Sequence, residues 1–472
     1  DDGQHDKNTE PSKSSQFIYN DALSPAQQRF WFTEQVTPGT PVNNYTVPVK
    51  LLGPLDKPAL TLALQDLQAR HESLRTVYRH DSKTNAPHQL VLDQPNLELT
   101  TQDCTDQCHS DSDIDFIVAK EGGAEASQLF DLETGPVWRC RLLTLNSDRH
   151  ILLITVHHIA VDGWSVRVMA KDLATLYGSH VKGSGVSATL THALGPRQLH
   201  RPLTDDVKVK DLYHWDALLG AQPPVLDLPN QGHRILEGKR EGAHIPLHWT
   251  PALANKLEAI GSEYQASLYM VLMAVLHGLL RRYSGQSSIV VGTPLADRAD
   301  PTVANAVCLM LNMVPVLTDV EGDPSFAQLL EQSRDRILAA IDHGRTPFDQ
   351  VVQALHPLRH PGRSPFFDVM FEFDSQVLAP VHAAEVEFHI DETPITSGTA
   401  KFDLTLDLRR QPDGSLRGWL EYDSSLFSER FAQQLTTHLS DLAEQVTKDT
   451  NAPLSSHWLT DAAHRLPSSR GL

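Results

Sequence analysis

Titratable side chains follow an apolar run in the stretch ITVHHIAVDGWSV, residues 154–166. His157 and His158 are adjacent, and Asp162 and Gly163 come shortly after them. Imidazole titrates near neutral pH, so one histidine could accept or donate a substrate proton there. The same pattern also fits two structural histidines at the end of a strand. Spacing alone does not choose between these two interpretations.

The sequence offers two groups of possible metal ligands, and neither predicts a metal site. His158 and Asp162 would share one face only on a helix, and the strand-like run before them argues against a helix. Cys104, Cys108 and His109 have no second ligand pair at zinc-finger spacing. Serine hydrolase chemistry is also disfavoured, because the chain has no G-x-S-x-G nucleophile elbow.

The elements around the histidines must present them to a substrate. The apolar run RHILLITVHH, residues 149–158, predicts a strand covered on both faces. Successive strand residues point to opposite faces, so one histidine would face the interior and the other a cleft. Asp162 and Gly163 predict a turn, and the apolar stripe after them predicts a helix that ends at Gly178.

Composition excludes several classes of function. The 472 residues carry a net charge of −19, which makes nucleic acid or an anionic membrane a poor partner. No apolar run is long enough to span a bilayer, and the N-terminus lacks the form of a signal peptide. Four cysteines are too few for a disulfide framework, so we expect a reduced, cytoplasmic compartment.

The alternation of helical and strand-like segments predicts an α/β protein of two lobes. We expect a disordered linker over residues 1–20 and a first lobe, with the histidine loop, over 21–195. A second lobe would follow over 196–447, and a flexible tail over 448–472. The Gly-, Ser- and Pro-rich segment 183–210 would connect the two lobes.

The histidine stretch resembles the HHxxxDG signature of condensation domains from nonribosomal peptide synthetases. Five further segments resemble core motifs of that family and occur in the family's order: SPAQQRFWF (24–32), RHESLRTVY (70–78), VGTPLADR with LNMVPV (291–298 and 311–316), DHGRTPFDQVV (342–352) and RHPGRSPFFDVMFEFD (359–374). The fourth motif departs from the family, since DLYHWDALL keeps only Tyr213 and Trp215 of the usual pattern.

The resemblance implies the two-lobed fold of chloramphenicol acetyltransferase-like, CoA-dependent acyltransferases, V-shaped with a central tunnel. It also implies that the amine of an aminoacyl thioester attacks a donor acyl, peptidyl or polyketidyl thioester to form an amide. The two substrates would be attached to the phosphopantetheine groups of a donor and an acceptor carrier protein, and the domain itself would bind no cofactor. We expect an excised, monomeric domain whose neighbours are adenylation or ketosynthase domains, as in a fungal polyketide synthase–peptide synthetase hybrid.

The resemblance also assigns roles at the site. His158 would act as a base or orient the amine, and His157 would support the loop. Asp162 would form a structural ion pair with Arg298. Gly163 would let the backbone turn close to the substrate, and its N–H could face the developing oxyanion.

Trp164, Ser165 and Asn312 are the candidates for the lining of a substrate tunnel. Trp164 could instead pack in the core, and Asn312 could instead form hydrogen bonds at the end of a strand. The motifs also distinguish condensation from related activities of the same superfamily. AQQRFWF favours condensation over epimerisation, both histidines exclude heterocyclisation, and the absence of DFGWG disfavours a free CoA-dependent acyltransferase. A terminal cyclising domain and a non-catalytic recruitment platform stay open.

Overall fold

In the computed structural model, two six-stranded sheets and one three-stranded sheet organise the described part of the chain. The structure describes residues 17–81, 86–94, 96–184, 190, 193–199, 203–230, 232–236, 238–296, 298, 300–391 and 395–460. Most of the predicted linker and the end of the predicted tail lie outside these residues.

The strands are β1 (Phe17–Ala22), β2 (Asn44–Leu52), β3 (Thr76–His80), β4 (Pro87–Leu92), β5 (Leu99–Asp103), β6 (Trp138–Thr144), β7 (Arg149–His157), β8 (Gly242–Trp249), β9 (Ser288–Ala296), β10 (Leu311–Asp319), β11 (Val369–Asp374), β12 (Val381–Ala383), β13 (Val386–Ile390), β14 (Leu404–Arg410) and β15 (Leu416–Asp423). The helices are α1 (Pro25–Val36), α2 (Lys57–Arg70), α3 (Asp111–Ser127), α4 (Gly163–Val181), α5 (Pro196–Leu199), α6 (Asp205–Leu219), α7 (Pro251–Glu263), α8 (Leu268–Ser284), α9 (Phe326–His343), α10 (Phe348–Leu355) and α11 (Glu429–Val446).

The first lobe is built on the sheet β12-β13-β2-β7-β6-β5, in which β7 has antiparallel neighbours on both sides. Leu152 and Ile154 of β7 pack in the core that includes α2 and α4, whereas Ile151 and Leu153 pack against α3. Both faces of β7 are therefore covered. This burial is the physical reason for its nearly continuous apolar sequence, as predicted.

The second lobe is built on the sheet β10-β9-β11-β14-β15-β8. Helices α7, α8, α9 and α11 contribute to the core on one of its faces. Helix α8 begins after Ser267, whose hydroxyl caps it, and ends at Gly285, which adopts the left-handed conformation with φ of 70°. Its almost uniformly apolar sequence follows from its burial in this core.

The two lobes are not continuous in sequence, which corrects the predicted division at residue 195. Strands β12 and β13 belong to the sheet of the first lobe, where β13 pairs with β2. The segment between β9 and β10 also reaches the first lobe, because Val307 is buried in the first-lobe core. Both segments pack on a part of the fold that is distant from them in sequence. Their local composition does not indicate this packing.

Three smaller expectations also need correction. Residues 17–20 of the predicted linker belong to β1, which pairs with β4. Residues 448–460 of the predicted tail are packed, with Leu454 and Leu459 buried in the second-lobe core. Helix α4 continues past Gly178 to Val181, since the glycine packs beside Ala383 of β12 instead of ending the helix.

None of the described helices is by itself long and apolar enough to cross a membrane. Helices α7 and α8 reach that length and composition only as a pair, bent by 101°.

Candidate functional site

His157 is the last residue of β7, and its contacts fix the proton on its ring. The Ile159 amide donates to Nδ1 at 3.1 Å, so Nδ1 is unprotonated. Nε2 therefore carries the hydrogen and donates to the Glu34 carboxylate at 3.0 Å. Burial is the main cause that lowers the pKa of His157, against the opposing effect of Glu34. His157 is thus a neutral, buried support of the loop.

Glu34 holds this arrangement from helix α1. Its carboxylate also accepts a hydrogen bond from the Asn43 amide at 2.8 Å. Burial by itself would raise the pKa of Glu34, but the hydrogen bonds from His157 and Asn43 bring it below its usual value. Asn43 in turn accepts the His158 amide on its carbonyl oxygen at 2.9 Å. Helix α1 and the chain before β2 therefore fix the backbone that carries both histidines.

His158 turns away from its neighbour and is half-buried. Its Nδ1 lies 3.4 Å from the Val161 carbonyl oxygen, which can only accept, so this contact requires a hydrogen on Nδ1. In a neutral ring Nε2 then holds the lone pair, and it has no hydrogen-bond partner among the described residues. The ring lies between Phe30, stacked at 5.8 Å between centroids, and Tyr45, at 5.1 Å.

The electrostatic surroundings favour the neutral form of His158. Burial lowers the pKa of His158 well below its usual value, and the charge of Lys401 is the next cause in the same direction. The Val161 carbonyl acts weakly against them. A half-buried neutral imidazole with a free Nε2 can accept a proton or a hydrogen bond from a substrate.

Asp162 and Arg298 form a buried ion pair that joins the lobes. The side chain of Asp162 has no exposed surface, and that of Arg298 is 3% exposed. The Arg298 guanidinium donates to both Asp162 oxygens, at 2.9 and 3.0 Å, and also to the Cys308 carbonyl at 3.1 Å. Asp162 caps helix α4 as well, by accepting the Ser165 amide at 2.9 Å. Both carboxylate oxygens are thus occupied, which leaves Asp162 no capacity for proton transfer or metal binding.

Ser165 belongs to this ion-pair network, so the prediction that it lines a tunnel is wrong. Its side chain is fully buried. The hydroxyl donates to Asp162 at 2.7 Å and accepts the Cys308 amide at 3.1 Å. A small hydroxyl is required here because it bridges helix α4 to the segment that precedes β10.

The other two tunnel candidates also have structural contacts. Trp164 is half-buried, packs against the first-lobe core and donates its indole N–H to the Ala304 carbonyl at 2.8 Å. The Asn312 amide donates to the Gly344 and Thr346 carbonyls, both at 2.9 Å, and accepts the Phe348 amide at 2.9 Å. These contacts favour the packing and strand-end interpretations.

Gly163 is the first residue of α4, and its φ is not in the left-handed region. The backbone at this position therefore does not require glycine in order to turn, contrary to the expectation. A Cβ at this position would contact nothing within 4 Å, so the glycine leaves open space at the N-terminal end of the helix.

Sequence reasoning missed four side chains that surround the histidines: Phe30, Glu34, Tyr45 and Lys401. Phe30 and Glu34 are four residues apart on one helix, so they share a face, and this spacing was a usable signal. Lys401 comes from the second lobe, and no local pattern connects it with the histidines.

Known structures of similar architecture define the class of fold. A four-domain nonribosomal peptide synthetase, holo-AB3403 bound to AMP and glycine, superposes with a TM-score of 0.81 at 18% identity, covering 93% of this chain and 34% of the other. The first condensation domain of the calcium-dependent antibiotic synthetase, in complex with a substrate analogue, gives 0.79 at 20% identity, covering 94% of this chain and 100% of the other. The fold is therefore the chloramphenicol acetyltransferase-like fold.

Sequence comparison gives the family. The profile of the condensation domain matches residues 20–465. The dimodular nonribosomal peptide synthase of Bacillus subtilis (strain 168) is 33% identical over 441 residues, which cover 90% of this chain and 18% of that protein. The isonitrile lipopeptide synthase of Mycobacterium tuberculosis is 30% identical, over 94% of this chain and 18% of the relative. The chain spans less than a fifth of the length of either relative.

The chain belongs to the condensation-domain family of nonribosomal peptide synthetases. Its members are acyltransferases whose general reaction forms an amide bond between substrates bound to carrier proteins. They work with carrier and adenylation domains within multidomain synthetases.

Proposed function

We propose that this chain forms an amide bond at His158, between an acyl or peptidyl donor and the amine of an aminoacyl acceptor. Each substrate would arrive as a thioester on the phosphopantetheine of its own carrier protein, through a passage between the lobes. The observation that supports this best is the geometry of His158. Its Nε2 has no hydrogen-bond partner within the described part of the chain, although residues of both lobes lie around the ring.

The proposed reaction balances without any cofactor. The amine nitrogen attacks the thioester carbonyl carbon, an N–C bond forms, and the C–S bond breaks. The proton lost by the amine passes to His158 Nε2 and then to the leaving thiolate sulfur. An α-amine is a weaker base than a lysine side chain, so part of it is neutral near pH 7–8 and a weakly basic imidazole suffices.

The remaining site residues have supporting roles in this proposal. Glu34 and His157 fix the loop, and the Asp162–Arg298 pair fixes the start of helix α4. The Gly163 amide, at the positive end of that helix, would donate to the oxyanion of the tetrahedral intermediate. The open space around Gly163 supports this role, because a substrate carbonyl can approach there.

The experiment compares His158→Ala with the unmodified chain in single-turnover amide formation. A panel of acyl- and aminoacyl-loaded carrier proteins would serve as substrates. We expect kcat/KM to fall about 100-fold or more, since a positioned acid–base group contributes that much. His109→Ala is the matched control, because His109 is exposed and lies in the same lobe. A His158→Ala chain that condenses at the unmodified rate would remove the histidine from the mechanism.

A second candidate function is recruitment of another protein without catalysis. The X-domain from teicoplanin biosynthesis superposes with a TM-score of 0.78 at 25% identity, and a complex of that domain with OxyB is also similar. The free Nε2 of His158 favours catalysis for this chain. Recruitment would instead be supported if no substrate pair of the panel reacted and His158→Ala left the binding of a partner enzyme unchanged.

A further inference from the structure

Lys401 is presented to the histidine site by a rigidly held stretch of the second lobe. It lies just before β14, and Arg240 donates to its carbonyl oxygen at 3.2 Å. Two residues later, Arg234 clamps the buried Asp403 carboxylate with two hydrogen bonds of 2.6 Å. Phe402 between them packs against Phe367, with 5.7 Å between ring centroids. The backbone that carries the Lys401 side chain is therefore fixed on both sides.

The Lys401 ammonium reaches across the lobe boundary. Its nitrogen lies 5.4 Å from the ring centroid of Phe30 in helix α1, within the range of a cation–π contact. Phe30 in turn stacks on the His158 ring, with an angle of 14° between the two rings. Lys401 is exposed, and none of the ion pairs found among the described residues includes it. Its charge is thus not neutralised by a direct carboxylate partner.

The charged groups around this position come from three elements. Glu421 of β15 and Glu372 of β11 favour the charged form of Lys401, and Glu34 of α1 does so more weakly. Arg29 of α1 opposes it, and the protein atoms around the ammonium, which reduce its hydration although the side chain keeps exposed surface, are the largest cause that lowers the pKa of Lys401. Glu421 and Glu372, both on its own lobe, offset only part of the effect that lowers the pKa of Lys401.

His158 experiences cations from both lobes. Lys401 and Arg29 both disfavour a positive charge on its ring, and Lys401 is the stronger of the two. Glu34, the acidic group of α1 beside them, is already engaged by His157 and Asn43. Tyr45 of β2 adds a ring and no carboxylate.

We propose that Lys401 is a positioning residue, which acts through space from the second lobe to keep the His158 imidazole unprotonated and ready for the proton of the attacking amine. This inference rests on the proposed function for its meaning in catalysis, but not for its electrostatic part. Phe30 contacts both groups, so protein rather than bulk water lies beside them, and like charges repel more strongly in such surroundings than in water. The same repulsion speeds the transfer of the proton from Nε2 to the leaving thiolate sulfur.

The test measures the protonation of His158 directly, without substrate. The chain is labelled at its histidine ring carbons, and the His158 signal is assigned by its loss in His158→Ala. In Lys401→Gln we expect the titration midpoint of His158 to move to higher pH than in the unmodified chain. Lys401→Arg retains the charge and should leave the midpoint close to that of the unmodified chain. Lys256→Gln, an exposed lysine on α7, is the matched control and should also leave it there.

A kinetic measurement tests the same effect during amide formation. For Lys401→Gln we expect the acidic limb of the pH profile of kcat/KM to move to higher pH by the same amount as the His158 titration midpoint, and the two chains to agree at about pH 8. An unshifted His158 titration in a folded Lys401→Gln chain overturns the inference, and Lys401→Met replaces that variant if it melts early. A shifted titration together with an active His158→Ala chain would overturn the proposed function alone.

Discussion

Replacing Arg298 with methionine should destabilise the chain more than it alters the chemistry at His158. The substitution removes six hydrogen bonds to oxygen atoms of the buried network. Two of them go to Asp162 and the others to Ser165, Val303, Ala306 and Cys308. It leaves the Asp162 carboxylate with no exposed surface and no positive partner. Breaking a buried ion pair on one side in this way costs about 3–5 kcal/mol.

That free energy converts to a measurable shift in the melting temperature. Unfolding entropy near 60 °C is roughly 2 cal/mol/K per residue, so a chain of this length loses about 1 °C for each kcal/mol. Arg298→Met should therefore melt about 3–5 °C below the unmodified chain. Differential scanning calorimetry or intrinsic fluorescence measures this. Arg430→Met is the control, since Arg430 is exposed at the start of helix α11.

Removing both charges separates the ion pair from the helix cap. Asn is as good a cap as Asp, so Asp162→Asn keeps the capping acceptor of α4 and loses only the charge. We expect the double variant Asp162→Asn/Arg298→Met to be more stable than the sum of the two single losses predicts, because no charge is left unpaired. A melt of Arg298→Met within about 1 °C of the unmodified chain would refute the reasoning.

Three further outcomes follow from other contacts. Ser165→Ala leaves the Cys308 amide without its side-chain acceptor and should cost about 1–3 kcal/mol, measured by the shift in melting temperature. Glu34→Ala removes the acceptor of the His157 N–H and should lower both stability and the rate of amide formation. Glu34→Gln should restore most of each, because its amide oxygen still accepts the hydrogen bond. Equal defects in the two variants would contradict this. Burial lowers the pKa of His277 to about 4, below its value near 6.5 in the unfolded chain. Between these two pKa values the unfolded chain binds one more proton than the folded chain, so the free energy of unfolding should fall by about 3 kcal/mol as the pH drops from 7 to 4. A smaller loss in His277→Gln than in the unmodified chain would identify His277 as the residue responsible.

The local arrangement around the histidines was predictable from the sequence, because short-range physics decides it. A strand buried on both faces needs the apolar residues that precede His157, and a helix that follows a turn needs a cap such as Asp162. The order of the family motifs predicted the fold and the family, and both are confirmed. The ion pair was expected only through the resemblance, since Asp162 and Arg298 are 136 positions apart.

Only the tertiary structure decided which distant residues meet at the site. Strands β12 and β13 complete the first-lobe sheet from the second half of the chain, and Lys401 crosses the lobe boundary to reach Phe30. Neither event leaves a local pattern, because a sheet edge accepts any strand of suitable register and a lysine of this kind resembles any surface lysine. The sequence by itself determined the chemical groups of the loop, whereas packing between the lobes determined the charges around them.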